Sequence, residues 1–158
     1  MAVDEDATDV VENDPLDRLG FLLARHGAIA SSRVDHAFDA CGLAPRQGAT
    51  LMLLGKSGHM AQQALAAALE VDPSVLVGIL NELESARFVE RRRDPSDRRR
   101  HIVAITDEGR GVLAKAQDAV TDVEQVLFAD LSAEEIAVLR QLLARVHTSR
   151  GDSACFEK

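Results

Sequence analysis

Phe88-Val89-Glu90-Arg91-Arg92-Arg93-Asp94-Pro95-Ser96-Asp97-Arg98-Arg99-Arg100-His101-Ile102-Val103-Ala104-Ile105-Thr106 is the stretch on which the fold turns. Two short runs with β-branched residues flank a turn dense in arginine. Asp94-Pro95-Ser96 suits a type I turn, Asp at the first corner and Pro at the second. The spacing predicts a β-hairpin. From Arg87 to Arg100 lie seven of the 18 Lys and Arg residues against three acids (Glu90, Asp94, Asp97), a local charge of +4 in a protein of net charge −8. Cations thrust outward from an acidic protein point to a polyanion contact. A solvated basic loop is the plainer explanation, and the flanking elements decide between the two.

Before the hairpin, Asp72-Pro73 opens a helix, with Asp as N-cap and Pro at the first helical position. Leu76, Ile79, Leu80 and Leu83 form its core stripe at i, i+3, i+4, i+7. The opposite face carries Ser74, Gly78, Asn81 and Ser85, flanked by Val75, Val77 and Glu82. That face is small and nearly uncharged, as a helix meant to lie close against something requires. A short alanine-rich helix from Met60 to Leu69 precedes it, and another runs from Pro45 to about Gly55-Lys56-Ser57-Gly58 with Leu51, Leu53 and Leu54 as its apolar content. Two short helices on a tight connection, followed by a basic hairpin, describe a winged helix-turn-helix: the helix at Pro73 enters the major groove and the hairpin reaches phosphates or the minor groove.

Outward from this centre the chain is helical. Pro15 opens a helix closed by Gly42, with Leu19, Leu22, Leu23, His26, Ile29, Ala30, Val34, Ala37 and Phe38 at three- and four-residue steps. So broad an apolar face exceeds what one small domain needs and points to a partner chain. Thr106-Asp107-Glu108 caps a long helix striped by Val112, Ala116, Val120, Val123 and Leu127, its acids at the positive end. Ser132-Ala133-Glu134-Glu135 is a capping box for a last helix with Ile136, Leu139, Leu143 and Val146. Residues 1–15 hold six acids and no base and read as a disordered tail, and residues 149–158 read as a flexible one. The expected class is mainly α with a small β-hairpin.

Composition narrows the function. At 158 residues, 46% hydrophobic and 28% charged, the chain fits one soluble domain. The acidic start lacks an apolar signal segment and the apolar runs are too short to span a bilayer, so a cytoplasmic protein without membrane contact is expected. With no Trp, no Tyr and five Phe, there is little on which to stack single-stranded bases. Cys41 and Cys155 form no Cys-x-x-Cys pair, and His26, His36, His59, His101 and His147 lack ligand spacing, so no metal is expected. No nucleophile elbow or phosphate-cradling glycine loop is present, so neither catalysis nor a cofactor is expected.

The run from Asn81 to Arg100, then Val103-Ala104-Ile105-Thr106-Asp107-Glu108-Gly109-Arg110, resembles the MarR family of bacterial transcriptional regulators. The pattern Leu-Glu … Val-x-Arg … Asp-Pro-x-Asp-Arg-Arg … Thr-x-x-Gly carries the likeness, which extends over about residues 16–148. It implies a homodimer in which 16–42 and 107–148 are dimerisation helices and 44–106 is the winged helix-turn-helix lobe. It further implies a repressor of palindromic duplex DNA, released by a small aromatic or phenolic effector. By position, Asp97 is similar to the wing aspartate that braces an arginine, and Arg98 and Arg99 to the arginines that approach the minor groove. Arg93 and Arg100 join them as candidate DNA contacts, with Gln62 and Gln63 on the preceding helix and Ser74, Val75, Val77, Gly78 and Asn81 on the recognition helix.

The chain departs from the family pattern where Val75, Val77, Gly78 and Glu82 replace the expected Thr and Arg. Base reading then falls to Ser74 and Asn81, plus Gln62 and Gln63 on the preceding helix, with Asn suited to adenine and valine to thymine methyls. Arg87 stands where glycine is favoured after the helix, a left-handed position that costs a non-glycine residue about 1 kcal/mol. His26, on the apolar stripe, is the candidate pocket residue, and Cys41 reads as a small packed side chain. Two alternatives follow from the same residues: a helical dimeric ligand- or protein-binding sensor with weakened operator reading, or a cysteine-based redox-sensing regulator.

Overall fold

A computed structural model describes residues 15–95, 97 and 100–146. Outside the described residues lie the first 14 positions, Ser96, Arg98, Arg99 and everything from His147 on, including Cys155 and most of the two expected tails. The elements are α1 (Leu19–Ala40), α2 (Pro45–Ser57), β1 (His59–Ala61), α3 (Gln62–Ala68), α4 (Pro73–Ser85), β2 (Val89–Arg93), β3 (His101–Ile105), α5 (Asp107–Leu127) and α6 (Ala133–Leu143). They fall into two compact units, one up to Val120 and one from Thr121.

The core of the first unit is leucine. Leu43, Leu51, Leu54, Leu65, Leu76, Leu80, Leu83 and Val103 are essentially solvent-free, joined by Phe38, Val89, Ile105, Leu113 and Ala116. The stripe Leu76-Ile79-Leu80-Leu83 therefore faces inward as its spacing requires, and cutting any one of these leucines to alanine would cost about 2–5 kcal/mol. Thr50 is the buried polar side chain among the described residues, and its hydroxyl donates to the Arg46 carbonyl at 2.7 Å. Cys41 is half-buried against this core, the packed residue the sequence suggested.

Two boundaries differ from expectation. The helix read from Met60 starts at Gln62, because His59–Ala61 is a strand paired antiparallel to β3 with His59 opposite Ala104 and Ala61 opposite Ile102. Gly58 causes this: it ends α2 with φ +79, and its carbonyl accepts the Ile105 N–H at 3.0 Å, so the chain leaves extended along β3. The hairpin is thus part of a three-stranded sheet ordered β1-β3-β2, with Val89 opposite Ile105 and Arg93 opposite His101. At the start of the chain, Pro15–Asp17 forms a 3-10 turn, and extended backbone at Arg18 delays α1 to Leu19.

Schellman closures end both helices of the helix-turn-helix. After α3, Glu70 N–H reaches Ala67 O and Val71 N–H reaches Ala66 O; after α4, Arg87 N–H reaches Glu84 O and Phe88 N–H reaches Leu83 O. Both pivots are non-glycine residues at positive φ, Glu70 at 52° and Arg87 at 63°. Arg87 thus adopts the left-handed conformation expected of its place. The axes of α3 and α4 diverge by 107°, within the range of helix-turn-helix units. Among the described residues no single helix is long and apolar enough to cross a membrane.

The wing is locked to α5 through Thr106. Its hydroxyl donates to Arg87 O at 2.6 Å and accepts the Gly109 N–H at 3.0 Å, while its own N–H donates to Phe88 O at 3.0 Å. A Cβ on residue 109 would lie 2.0 Å from Phe88 O, so this turn admits only glycine without backbone movement. The Thr-x-x-Gly element of the sequence pattern is the geometry of this joint.

In the second unit, α6 opens with the expected capping box: Ser132 Oγ accepts the Glu135 N–H at 3.2 Å, and Glu135 Oε2 accepts the Ser132 N–H at 2.8 Å. No residue of α6 is buried, and Val126, Leu131, Val138, Leu142, Leu143 and Val146 are exposed. In the first unit Leu19, Phe21, Leu23 and Ile29 of α1 are exposed too. Apolar surface of this extent is the mark of an interaction face.

Candidate nucleic-acid interface

The recognition helix starts as its sequence dictates. Asp72 Oδ1 accepts the Ser74 N–H at 2.8 Å and the Ser74 hydroxyl at 2.6 Å. These bonds, the hydroxyl's first, hold the Asp72 carboxyl below its ordinary range. Ser74 therefore spends its hydroxyl proton on the cap and keeps only lone pairs for other partners. Val75, Val77, Gly78 and Asn81 are exposed, with open space above Gly78. Glu82 is turned aside. Its Oε2 accepts Gln47 Nε2 at 2.7 Å, and Gln47 Oε1 in turn accepts the Ala44 N–H at the start of α2.

Helix and wing are joined by a bracket that sequence reading missed. Arg91, on β2, donates its backbone N–H to Glu84 Oε1 at 2.9 Å and its Nε–H to Glu84 Oε2 at 2.9 Å. A terminal guanidinium nitrogen also bonds Glu84, and it donates to Asn81 Oδ1 at 2.6 Å. Both partners of the ion pair are about one-quarter exposed. The guanidinium holds the Glu84 carboxyl below its ordinary range, outweighing the opposing effect of partial burial. The "Leu-Glu … Val-x-Arg" spacing was the available signal.

Other wing charges are partly paired. Arg92 bonds Glu90 on the same strand, and Arg100 Nε lies 3.4 Å from Asp97 Oδ2. The turn is closed by Arg100 N–H to Asp97 O at 2.8 Å and Asp94 N–H to Arg100 O at 2.9 Å. Among the described residues the arginine paired with Asp97 is Arg100. Arg93 is exposed and makes no ion pair among the described residues. Arg98 and Arg99 fall outside them.

Between α3 and the wing runs an open groove of about 710 Å³, floored by Ala61, Ala64, Ala66 and Ala67. Gln62, Gln63, Pro73, Arg100 and His101 stand along it, and a second concavity of about 470 Å³ joins Gln62 and His101 to Arg91 and Arg93. The structure therefore places Gln62, Gln63 and Arg100 along the groove, Gln62 and Arg93 along the second concavity, and Val75, Val77, Gly78 and Asn81 on the exposed face of α4. The groove's amide donors and cations over small apolar residues suit a phosphodiester backbone approaching closely. His101 was not foreseen; its place at the start of β3 was the only signal. His26 is exposed on α1 and lines none of these concavities. Among the described residues no three His, Cys, Asp or Glu side chains are grouped to hold a metal.

Known proteins resemble this chain in sequence and fold. The MarR family model matches residues 43–101, the whole helix-turn-helix and the first half of the wing. A protein assigned as transcriptional regulator of the hcr operon in Thauera aromatica is 33% identical over 144 residues, 90% of this chain and 86% of that protein. CouR from Rhodococcus jostii RHA1, solved with p-coumaroyl-CoA, is 31% identical with a TM-score of 0.73, covering 84% of this chain and 96% of its own. A variant of MarR from E. coli, solved with operator DNA, is 26% identical with a TM-score of 0.71, covering 91% of this chain and all of the other. Fold, wing signature and relatives agree: the chain belongs to the MarR family, whose members are DNA-binding transcriptional regulators and not enzymes.

Proposed function

We propose that this protein is a homodimeric repressor that binds palindromic duplex DNA and is released from it by a small aromatic or phenolic effector. The observation that carries the DNA part is the pairing of an uncharged, exposed face on α4 with an arginine-bearing wing fixed to that helix through Glu84 and Arg91. Two such lobes related by a two-fold axis would meet half-sites about one helical turn apart. The exposed apolar residues of α1 and of α5–α6 supply the surface a second copy would cover. The effector class rests on the likeness to CouR, which was solved with an aromatic thioester. Repression follows from occupancy, since a dimer seated across a promoter excludes polymerase.

The test is titration of the protein into duplex DNA at several salt concentrations, with and without a panel of phenolic acids and their thioesters. We expect log K to fall linearly with log salt, and one member of the panel to dissociate the complex. Absence of binding at low salt would refute the reading. DNA binding indifferent to every aromatic ligand would remove its effector half.

A further inference from the structure

Strand alternation sorts the side chains of the wing onto two faces. Arg91 stands opposite Val103, and that face also holds the paired Val89 and Ile105; all three apolar residues are buried. Arg93 and His101, partners across the hairpin, extend the same face outward, whereas Arg92 stands opposite Ile102 on the reverse one. It is the core-side face that α3 approaches. Gln62, Arg91, Arg93 and His101 together line the concavity of about 470 Å³. All four side chains can present N–H donors, and no carboxylate lines the space. Arg91 is already committed to Glu84 and Asn81. The side chains of Gln62, Arg93 and His101 have no hydrogen-bond or ion-pair partner among the described residues.

We propose that Gln62, Arg93 and His101 form a cradle for one phosphodiester group of the duplex backbone, and that its grip depends on a proton at His101. Phosphate oxygens are acceptors, and an amide N–H and a guanidinium meet them at any ordinary pH. Imidazole differs, because histidine is the side chain that changes charge between about pH 5 and 8. The charged groups facing His101 are Arg93 across the hairpin, Arg91 two residues back along β2, and Arg100 beside it in sequence. Helix α3 brings only the neutral Gln62 and Gln63, and the turn acids Asp94 and Asp97 do not line the concavity. A phosphate seated among these cations favours the charged imidazole. Binding DNA therefore takes up protons, and each lobe gains one phosphate contact as pH falls.

The inference rests on the proposed DNA binding, and salt titrations of one duplex at about pH 6 and about pH 8.5 separate the two. The wild-type slope of log K against log salt should be steeper at the lower pH by about 1–2 per dimer, one contact per lobe. At fixed salt the affinity should rise about tenfold over the same range. His101→Gln, an exposed position that keeps an N–H donor, should abolish the change in slope, and His101→Arg should be steep at both pH values. His59→Gln, on the strand beyond β3 and opposite Ala104 on the reverse face, should behave as wild type. Combining Arg93→Ala with His101→Gln at the lower pH should cost less than the sum of the single losses, because both side chains hold one phosphate. A wild-type slope indifferent to pH, or a pH-dependent slope retained by His101→Gln, would overturn the inference alone. Strictly additive losses would overturn the shared cradle. No binding at low salt at either pH would overturn the DNA-binding reading itself.

Discussion

Glycine 109 and glycine 111 sit two residues apart on α5, and the same substitution should move stability in opposite directions. A Cβ at 109 would stand 2.0 Å from the Phe88 carbonyl oxygen and 2.9 Å from Ile105 Cγ1, whereas one at 111 meets nothing within 4 Å. Ordinary contact begins near 3.4 Å, so Gly109→Ala requires the Phe88 carbonyl and α5 to separate by at least 1.4 Å. The obstacle is backbone and cannot rotate away. Overpacking of this kind costs about 1–3 kcal/mol. The shift also stretches the Thr106 N–H bond to Phe88 O and the Gly109 N–H bond to Thr106 Oγ1, each worth about 1 kcal/mol. Higher helix propensity returns at most about 1 kcal/mol.

The expected result is a loss of about 2–3 kcal/mol for Gly109→Ala and a gain of about 0.5–1 kcal/mol for Gly111→Ala. Urea unfolding followed by far-UV circular dichroism suits a chain with no Trp and no Tyr. The first variant's midpoint should fall by about 1–2 M at unchanged slope. Protein concentration has to be held fixed, because association adds to apparent stability. A Gly109→Ala protein within about 0.5 kcal/mol of wild type, or a Gly111→Ala protein less stable than it, would refute the claim that this joint is sterically closed.

Three further outcomes are expected. Asp72→Ala should lower the melting temperature at neutral pH, with the gap closing in acid. The folded-state carboxyl is held low, first by the Ser74 hydroxyl, so its contribution is present above the unfolded value and lost as pH falls below about 4. A gap that stays constant down that range in a pH series of melts would contradict the capping role. Leu142→Arg and Phe21→Asp, each placing a charge on an exposed apolar face, should shift sedimentation from dimer to monomer while leaving helix content intact; unchanged sedimentation from both would locate association elsewhere. Arg93→Ala should weaken binding to unrelated duplexes alike and reduce the salt slope by about 1 per half-site contact. A loss confined to particular base pairs would assign Arg93 to base reading instead.

Helix starts were legible because capping is local chemistry. Asp72-Pro73, Thr106 and Ser132 each fix a terminus with side chains two or three residues away, and all three do so in the structure. The same logic carries further than the sequence reading took it: if Asp72 is an N-cap, Ser74 is its partner and a poor candidate for reading bases. The strand His59–Ala61 was not legible, since three residues are too few to display alternation and its partner lies more than forty positions away. Nor was the bracket of Asn81, Glu84 and Arg91. It depends on the angle at which the chain leaves α4, and that angle is set by a left-handed Arg87 and the Thr106 joint.

That bracket changes what the wing's charge means. Counting cations treats Arg91, Arg92, Arg93 and Arg100 as equal contributors to a polyanion contact, yet their surroundings differ. Arg92 and Arg100 are more than half exposed, and surface pairs of that kind are worth only about 0–1 kcal/mol, so either can exchange its carboxylate for a phosphate. Arg91 is mostly covered and tied to Glu84 at two points of its chain, so giving it up to a phosphate would strand a carboxylate beside the helix. In the proposed complex affinity therefore falls to the outer half of the wing, where Arg93 makes no ion pair among the described residues. Arg91 acts inward, tying β2 to α4 through Glu84 and the Asn81 amide oxygen. Under the proposed DNA contact, the outer cations are the ones that can turn to phosphate, while the base of the hairpin stays committed to α4.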